Sequence, residues 1–142
     1  MKRRSFLTLS GTAALITLVA PAQAAELVLI THPTVTDKPS RADLHAIFTT
    51  RRQTWGNGSR IIPFNFPAKH EYRVQFDRTV LGMDAEEVAK YWIDRRVRGG
   101  NAPPKQVPNA ATIVKLVEKL EGSISYVPRS AVIPGVRVLG PL

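Results

Sequence analysis

The chain has 142 residues, of which 44% are hydrophobic, and 20 Lys and Arg against 11 Asp and Glu give it a formal net charge of +9. It contains no cysteine, which excludes disulfides, thiolate metal sites and thiol redox chemistry. The length is sufficient for one domain with one hydrophobic core.

The first 24 residues have the pattern of a secretory signal peptide. Residues 2–4 are basic, residues 7–20 are largely apolar, and Ala-Gln-Ala at 22–24 forms a small-x-small cleavage site. A membrane anchor is disfavoured because the apolar run of about 14 residues is shorter than the ~20 that a spanning helix needs. We therefore expect an exported, periplasmic protein whose mature chain, residues 25–142, does not span the membrane.

The export route and the charge each leave two interpretations open. Residues 3–7, Arg-Arg-Ser-Phe-Leu, resemble a twin-arginine signal, but an ordinary basic region of a Sec signal fits equally well. Without residues 1–24 the chain keeps 17 basic and 11 acidic side chains, a formal charge of +6. This charge would attract anionic ligands or an anionic membrane surface, or reflect a basic surface with no specific partner. An exported location argues against nucleic acid.

The mature chain begins with signals for a strand and a helix. Residues 27–30, Leu-Val-Leu-Ile, form a continuous apolar run typical of a strand buried on both faces. Ser40 and Asp43 then have the spacing of a capping box, which predicts a helix start. Arg51 and Arg52 favour the negative end of that helix.

A turn, a strand and a second helix follow. Trp-Gly-Asn-Gly at residues 55–58 predicts a turn, and residues 61–66 predict a strand. Pro63 removes one ladder donor, which indicates that this strand lies at an edge or ends early. Apolar side chains spaced by four predict a helix over residues 68–81, with Gly82 after its last turn.

The last part of the chain predicts two more helices and two strands. Asp84 with Glu87 forms a second capping box, with Met83 and Val88 at the positions of a hydrophobic staple. Asn109 caps the fourth helix, after a proline-rich connection. The two strands are expected at residues 123–127 and 136–139. The order β-α-β-α-α-α-β-β predicts one α/β lobe, a mixed sheet flanked by about four helices.

Patterns of catalysis and metal binding are missing from the sequence. There is no Gly-x-Ser-x-Gly elbow and no Walker loop. His32, His45 and His70 include no short chelating pair. We therefore expect neither an enzyme nor a bound cofactor or metal. The connection from the second strand to the second helix is instead a candidate anion site, because a helix start offers unpaired N–H groups and a positive dipole end.

Several motifs resemble those of phosphate ABC transporter substrate-binding proteins. In chain order they are LHAIF at 44–48, Trp55, IIPFN at 61–65, Arg73-x-x-Phe76, Val80-Leu81, GSISYVP at 122–128 and VRVL at 136–139. The resemblance extends from Leu27 to Leu139. It implies a lobe of the type 2 periplasmic-binding-protein fold, phosphate or another small oxyanion as ligand, and an ABC permease as partner. On this basis Lys69, His70 and Arg73 are the candidate ligand-binding residues.

The chain departs from that family in two respects. The family has two lobes that close on the ligand, whereas about 118 residues resemble one lobe, with half of the hydrogen-bond donors. The Ser, Gly and Thr of the family's Ser-Gly-Thr-Arg helix start fall on His70, Glu71 and Tyr72, so small donors are lost and a negative charge is gained. The alternative hypothesis is an interaction module without the phosphate site, which pairs with itself or with a membrane protein. Its candidate exposed apolar edge contains Pro63, Trp55, Phe64, Phe66 and Trp92.

Overall fold

The computed structural model describes residues 14–16 and 25–142, so the predicted signal peptide lies, apart from residues 14–16, outside the described residues. The elements are, in chain order, β1 (Leu27–Thr31), α1 (Arg41–Phe48), β2 (Ile62–Asn65), α2 (Glu71–Phe76), α3 (Ala85–Val97), β3 (Lys105–Gln106), α4 (Ala110–Lys119), β4 (Ser123–Pro128) and β5 (Arg137–Pro141). A π-helical turn, Asp77–Leu81, continues α2, and a 3-10 turn, Arg129–Ala131, follows β4.

The five strands form one mixed sheet in the order β3-β2-β4-β1-β5. Strand β2 is parallel to both β3 and β4, while β1 is antiparallel to both β4 and β5. The predicted α/β lobe with a mixed sheet is therefore confirmed. The two-residue strand β3 was not predicted, because it lies in a proline-rich connection.

Of the two alternatives that Pro63 suggested for β2, an edge position or an early end, the edge position is wrong, and β3 is the reason. Strand β3 pairs with Phe64 and Asn65 on the outer side of β2. Pro63 is paired with Ile124 of β4 and lies just before the part of β2 that β3 covers. The missing amide proton of Pro63 is therefore tolerated one strand in from the edge.

Local sequence signals placed the starts of three helices correctly, whereas α1 ends at Phe48, before Arg51 and Arg52. Ser40 with Asp43 and Asp84 with Glu87 both form complete capping boxes, and Asn109 caps α4. The hydrogen bonds from Ser40 hold the pKa of Asp43 below its usual range, helped by Arg52.

The second helix differs from its prediction. It begins at Glu71 instead of residue 68, because the side chain of His70 caps the backbone N–H of Tyr72. From Asp77 the helix widens into the π-helical turn. Gly82, with a φ of +67°, ends that turn as predicted.

An aromatic cluster joins α1, α2 and β4 in the core. The rings of Phe76 and Tyr126 are stacked with centroids 3.9 Å apart, and Phe48 contacts Phe76 edge-on at 4.6 Å. Tyr126 is completely buried, which raises the pKa of its hydroxyl above the usual range. The hydroxyl therefore remains a neutral hydrogen-bond donor inside the core.

Most of the aromatic residues suggested for an exposed edge belong to this core. Trp55, Phe64 and Phe66 are buried, and only Trp92 is half-buried. The Trp55 indole Nε1 donates to the Gly122 carbonyl at 2.9 Å. The idea that Trp55, Phe64 and Phe66 form an exposed apolar edge is wrong, since all three belong to the buried core.

Candidate functional site

A cavity of about 240 Å³ lies where β2 and β3 end. In open α/β sheets, ligands bind outside the carboxyl ends of the parallel strands, and this cavity has that position. Its polar lining side chains come from four elements and a π-helical turn, and they are Asn65, Arg73, Asp77, Arg96 and Gln106, beside the half-buried Trp92. We call it the Arg73 cavity.

Arg73 is the buried cation of this cavity, with only 4% of its surface exposed. Its Nε donates to Asp77 Oδ2 at 2.8 Å, and its Nη1 donates to the Phe66 carbonyl at 2.9 Å. The pair is spaced i,i+4, so the continuous helical backbone from α2 into the π-helical turn aligns both groups. These hydrogen bonds involve Nε and Nη1, and none within residues 25–142 involves Nη2.

Asp77 contributes an acceptor that the protein leaves unused. One carboxylate oxygen accepts from Arg73, while Oδ1 is buried and has no partner among the described residues. Burial raises the pKa of Asp77, and the charge and hydrogen bond of Arg73 offset only part of that effect. Because an unsatisfied buried acceptor is unfavourable, the cavity suits a ligand that carries a hydrogen-bond donor.

Asn65 supplies a further donor at the carboxyl end of β2. Its Oδ1 accepts from the Tyr126 hydroxyl and from the backbone N–H of Phe66, the latter at 3.1 Å. These two bonds fix the orientation of the amide, so its Nδ2 remains the donor for a ligand. Side chains with N–H donors, Arg73 and Asn65, therefore line the same cavity as one carboxylate, Asp77.

The structure brings one of the three predicted ligand-binding residues into the cavity. Arg73 lines it, whereas Lys69 and His70 do not. Lys69 is exposed. The Nδ1 of His70 accepts from the backbone N–H of Tyr72 at 3.1 Å, and its ring lies 4.5 Å from that of Phe66. The His70 side chain thus occupies one of the backbone N–H donors at the start of α2, which is then not free to bind an anion.

The ligand-binding residues proposed from the sequence do not include Asp77, Asn65, Arg96 and Gln106, which line the cavity. The spacing Arg73-x-x-x-Asp77 was the available signal, but such i,i+4 pairs are usually exposed on helix surfaces. Only burial, which depends on the packing of α3 and β3, turns this pair into part of a cavity.

The described part of the chain has neither a cluster of metal ligands nor a membrane-spanning helix. Within residues 14–16 and 25–142 no group of three or more His, Asp and Glu side chains could hold a metal ion. Over the same residues, no helix is both long and apolar enough to cross a membrane.

The mixed five-stranded sheet, the four helices and the cavity at the carboxyl ends of β2 and β3 define a single lobe of the periplasmic-binding-protein-like fold. The solved structures similar to this lobe include an ABC-type phosphate transport receptor from Vibrio cholerae, with a TM-score of 0.62 and 12% identity. They also include PstS from Borrelia burgdorferi, with a TM-score of 0.62 and 15% identity.

Each of these two similarities covers 80% of this chain but only 45% and 46% of the respective neighbour. The chain therefore spans less than half the length of the proteins it resembles. No protein-family model matches the sequence, and no curated protein does. At identities of 12% and 15%, the similarity establishes the fold alone.

Proposed function

We propose that this chain is an exported solute-binding lobe that holds a small, partly protonated oxyanion such as hydrogen phosphate in the Arg73 cavity. One observation carries the proposal. Arg73 and its carboxylate partner Asp77 both line a cavity at the carboxyl end of β2, and Asp77 Oδ1 has no hydrogen-bond partner among the described residues. The phosphate receptors among the structural neighbours support the same ligand class.

The chemistry of the cavity favours an anion with a hydroxyl group. The oxygens of hydrogen phosphate would accept from Arg73 Nη2 and Asn65 Nδ2, and its hydroxyl would donate to Asp77 Oδ1. Sulfate has no such proton at neutral pH, so one of its oxygens would face the carboxylate oxygen without a hydrogen bond. The unpaired acceptor thus discriminates against fully deprotonated anions.

The predicted signal peptide and the fold support a periplasmic location and an ABC permease as partner. A function of this chain in binding without catalysis agrees with a structural neighbour that is a phosphate transport receptor. Lys69, four residues before Arg73, would add positive potential for an approaching anion, whether or not it touches the ligand. For His70, direct contact with the oxyanion remains a prediction that competes with its role as a cap.

Isothermal titration of the purified protein with phosphate and with sulfate tests this function. We expect phosphate to bind and sulfate to bind at least tenfold more weakly. Arg96 lines the cavity from α3 and is exposed, so Arg96→Gln should weaken phosphate binding about tenfold. Arg98→Gln, on an exposed residue just past the same helix and outside the cavity, is the matched control. No heat with millimolar phosphate would exclude the proposal.

A specific feature of α3 favours self-association as a second candidate function. Ile93 and Val97 are 62% and 81% exposed and lie one helical turn apart. The helix has Glu86 and Glu87 in its first turn and Arg95 and Arg96 in its last. Two copies packed antiparallel along α3 would pair acidic and basic ends across an apolar seam.

Sedimentation velocity over a range of concentrations tests the α3 pairing. The pairing predicts a dimer that Ile93→Glu converts to a monomer, whereas Leu120→Glu, at an exposed apolar residue after α4, leaves it intact. A monomer at every concentration would contradict this second function and leave the phosphate titration unaffected.

A further inference from the structure

A second cavity, of about 510 Å³, lies at the amino end of β2. It shares only Pro103 and Pro104 with the Arg73 cavity, so the two spaces lie on different sides of the proline-rich connection. Its apolar walls are formed by Ile47, Ile61, Ile62, Pro63, Pro103 and Pro104. We call it the Arg60 cavity. Its volume lies in the range of about 300–1,000 Å³ that is typical of sites for small organic molecules.

The charged side chains that line the Arg60 cavity are all basic. They are Arg52, Arg60 and Lys105, and no Asp or Glu accompanies them. Arg52 is neutralised by Asp37 at 3.0 Å and by Asp43 at 3.2 Å. Arg60 and Lys105 are exposed and form no ion pair within the described residues. Two uncompensated positive charges therefore lie at the edge of an apolar cavity.

Thr50 adds a buried hydroxyl that the protein does not use. The residue is 9% exposed, and its Oγ1 has no hydrogen-bond partner among the described residues. Its backbone has a φ of +57°, which is unfavourable for a β-branched residue. Asn101 Nδ2 holds this position by donating to the Thr50 carbonyl at 3.2 Å. Thr50 is one of the residues that line the Arg60 cavity, so its unpaired hydroxyl is the group there that would gain a partner from a bound ligand.

We propose that the Arg60 cavity binds a small organic anion, a carboxylate or phosphate monoester with an aromatic or short aliphatic body. The body would lie against the isoleucine and proline walls. The anionic group would accept hydrogen bonds from the Thr50 hydroxyl and from Arg60 and Lys105. The site does not depend on the proposed function, because it lies at the opposite end of β2 from Arg73.

Isothermal titration with two probes tests the ligand class. The probes are 2-naphthyl phosphate and neutral 2-naphthylmethanol. We expect 2-naphthyl phosphate to bind at least tenfold more tightly than the neutral probe. Its affinity should be unchanged in Arg96→Gln, which alters the Arg73 cavity. Equal affinity for the neutral probe, or a loss of binding in Arg96→Gln, would overturn the proposal.

Two sets of variants test the residues of the Arg60 cavity. Arg60→Gln with Lys105→Gln should weaken 2-naphthyl phosphate binding tenfold or more, whereas Lys115→Gln with Lys119→Gln removes the same charge from α4 and should leave it unchanged. Thr50→Val keeps the shape and removes the hydroxyl. It should weaken binding about fivefold without lowering the midpoint of urea unfolding, since no protein hydrogen bond is lost. Unchanged affinity in both cavity variants would contradict the site.

Discussion

The two ends of strand β2 carry positive charge in opposite ways. At the carboxyl end the cation next to the strand, Arg73, is buried and paired with Asp77 inside a cavity of about 240 Å³, and the exposed Arg96 reaches this cavity only from α3. At the amino end, Arg60 and Lys105 are exposed and unpaired beside a cavity about twice as large. A buried pair is tied to folding, because separating it leaves a charge without solvent. Exposed charges contribute little to folding and are free to act on a ligand.

The largest expected effect follows from removing the buried cation. Arg73→Met should lower the free energy of unfolding by about 3–5 kcal/mol, because Asp77 then lacks its buried counter-charge. Replacing both partners, as Arg73→Met with Asp77→Leu, should recover much of this loss while phosphate binding stays absent. Urea unfolding measures the stability, and Arg78→Met, at an exposed residue in the following turn, is the control. If the single variant were as stable as the wild type, the carboxyl end would not depend on the buried pair.

The next largest effect is expected from a substitution at Gly122, whose backbone packs against Arg60 near the amino end of β2. Gly122 has a φ of +80°, and a Cβ there would lie 2.3 Å from the Arg60 carbonyl oxygen. Gly58 has a φ of +85° and nothing within 4 Å of such a Cβ. Gly122→Ala should therefore cost about 3 kcal/mol, from conformational strain and a backbone clash. Gly58→Ala should cost about 1 kcal/mol, from strain alone. Thermal unfolding that gives equal losses would show that the clash relaxes.

The pH dependence of stability provides a sharper test of the carboxyl end. Since the pKa of Asp77 is raised in the folded state, the folded chain binds more protons than the unfolded chain between the two pKa values. The contribution of Asp77 to stability must then fall as the pH rises from about 4 through the raised pKa. Wild-type minus Asp77→Asn stability, from urea unfolding at several pH values, should decrease over that window. A difference that increases with pH would mean that Arg73 outweighs the burial.

The smallest effect is expected at the exposed cations of the amino end. Arg60→Gln with Lys105→Gln should change the free energy of unfolding by less than about 0.5 kcal/mol, because both side chains are solvated. The same samples that lose 2-naphthyl phosphate binding would then unfold at the wild-type urea concentration. A loss of stability comparable to that of Arg73→Met would remove the distinction between the two ends.

Sequence signals were sufficient where the cause of a structure is local. The capping boxes at Ser40 and Asp84 determine two helix starts through side chains within four residues of each other. The strand β3 has no such signal, because it depends on pairing with the distant strand β2. The sequence also carries no local signal for the π-helical turn after Phe76. The same limit applies to the site. Arg73 was identified by resemblance, but the unpaired oxygen of Asp77 exists only because distant elements exclude water from it.

The position of β1 within the sheet has a consequence for the order of folding. Strand β1 lies between β4 and β5, so both of its neighbours are made about 100 residues later. Such long-range pairing favours slow folding, on the millisecond to second scale typical of high contact order. Until β4 and β5 exist, Leu27–Thr31 is an unpaired run of high β-propensity, which is the kind of segment that aggregates. A fragment that stops before Ser123 should therefore aggregate even though it contains all four helices.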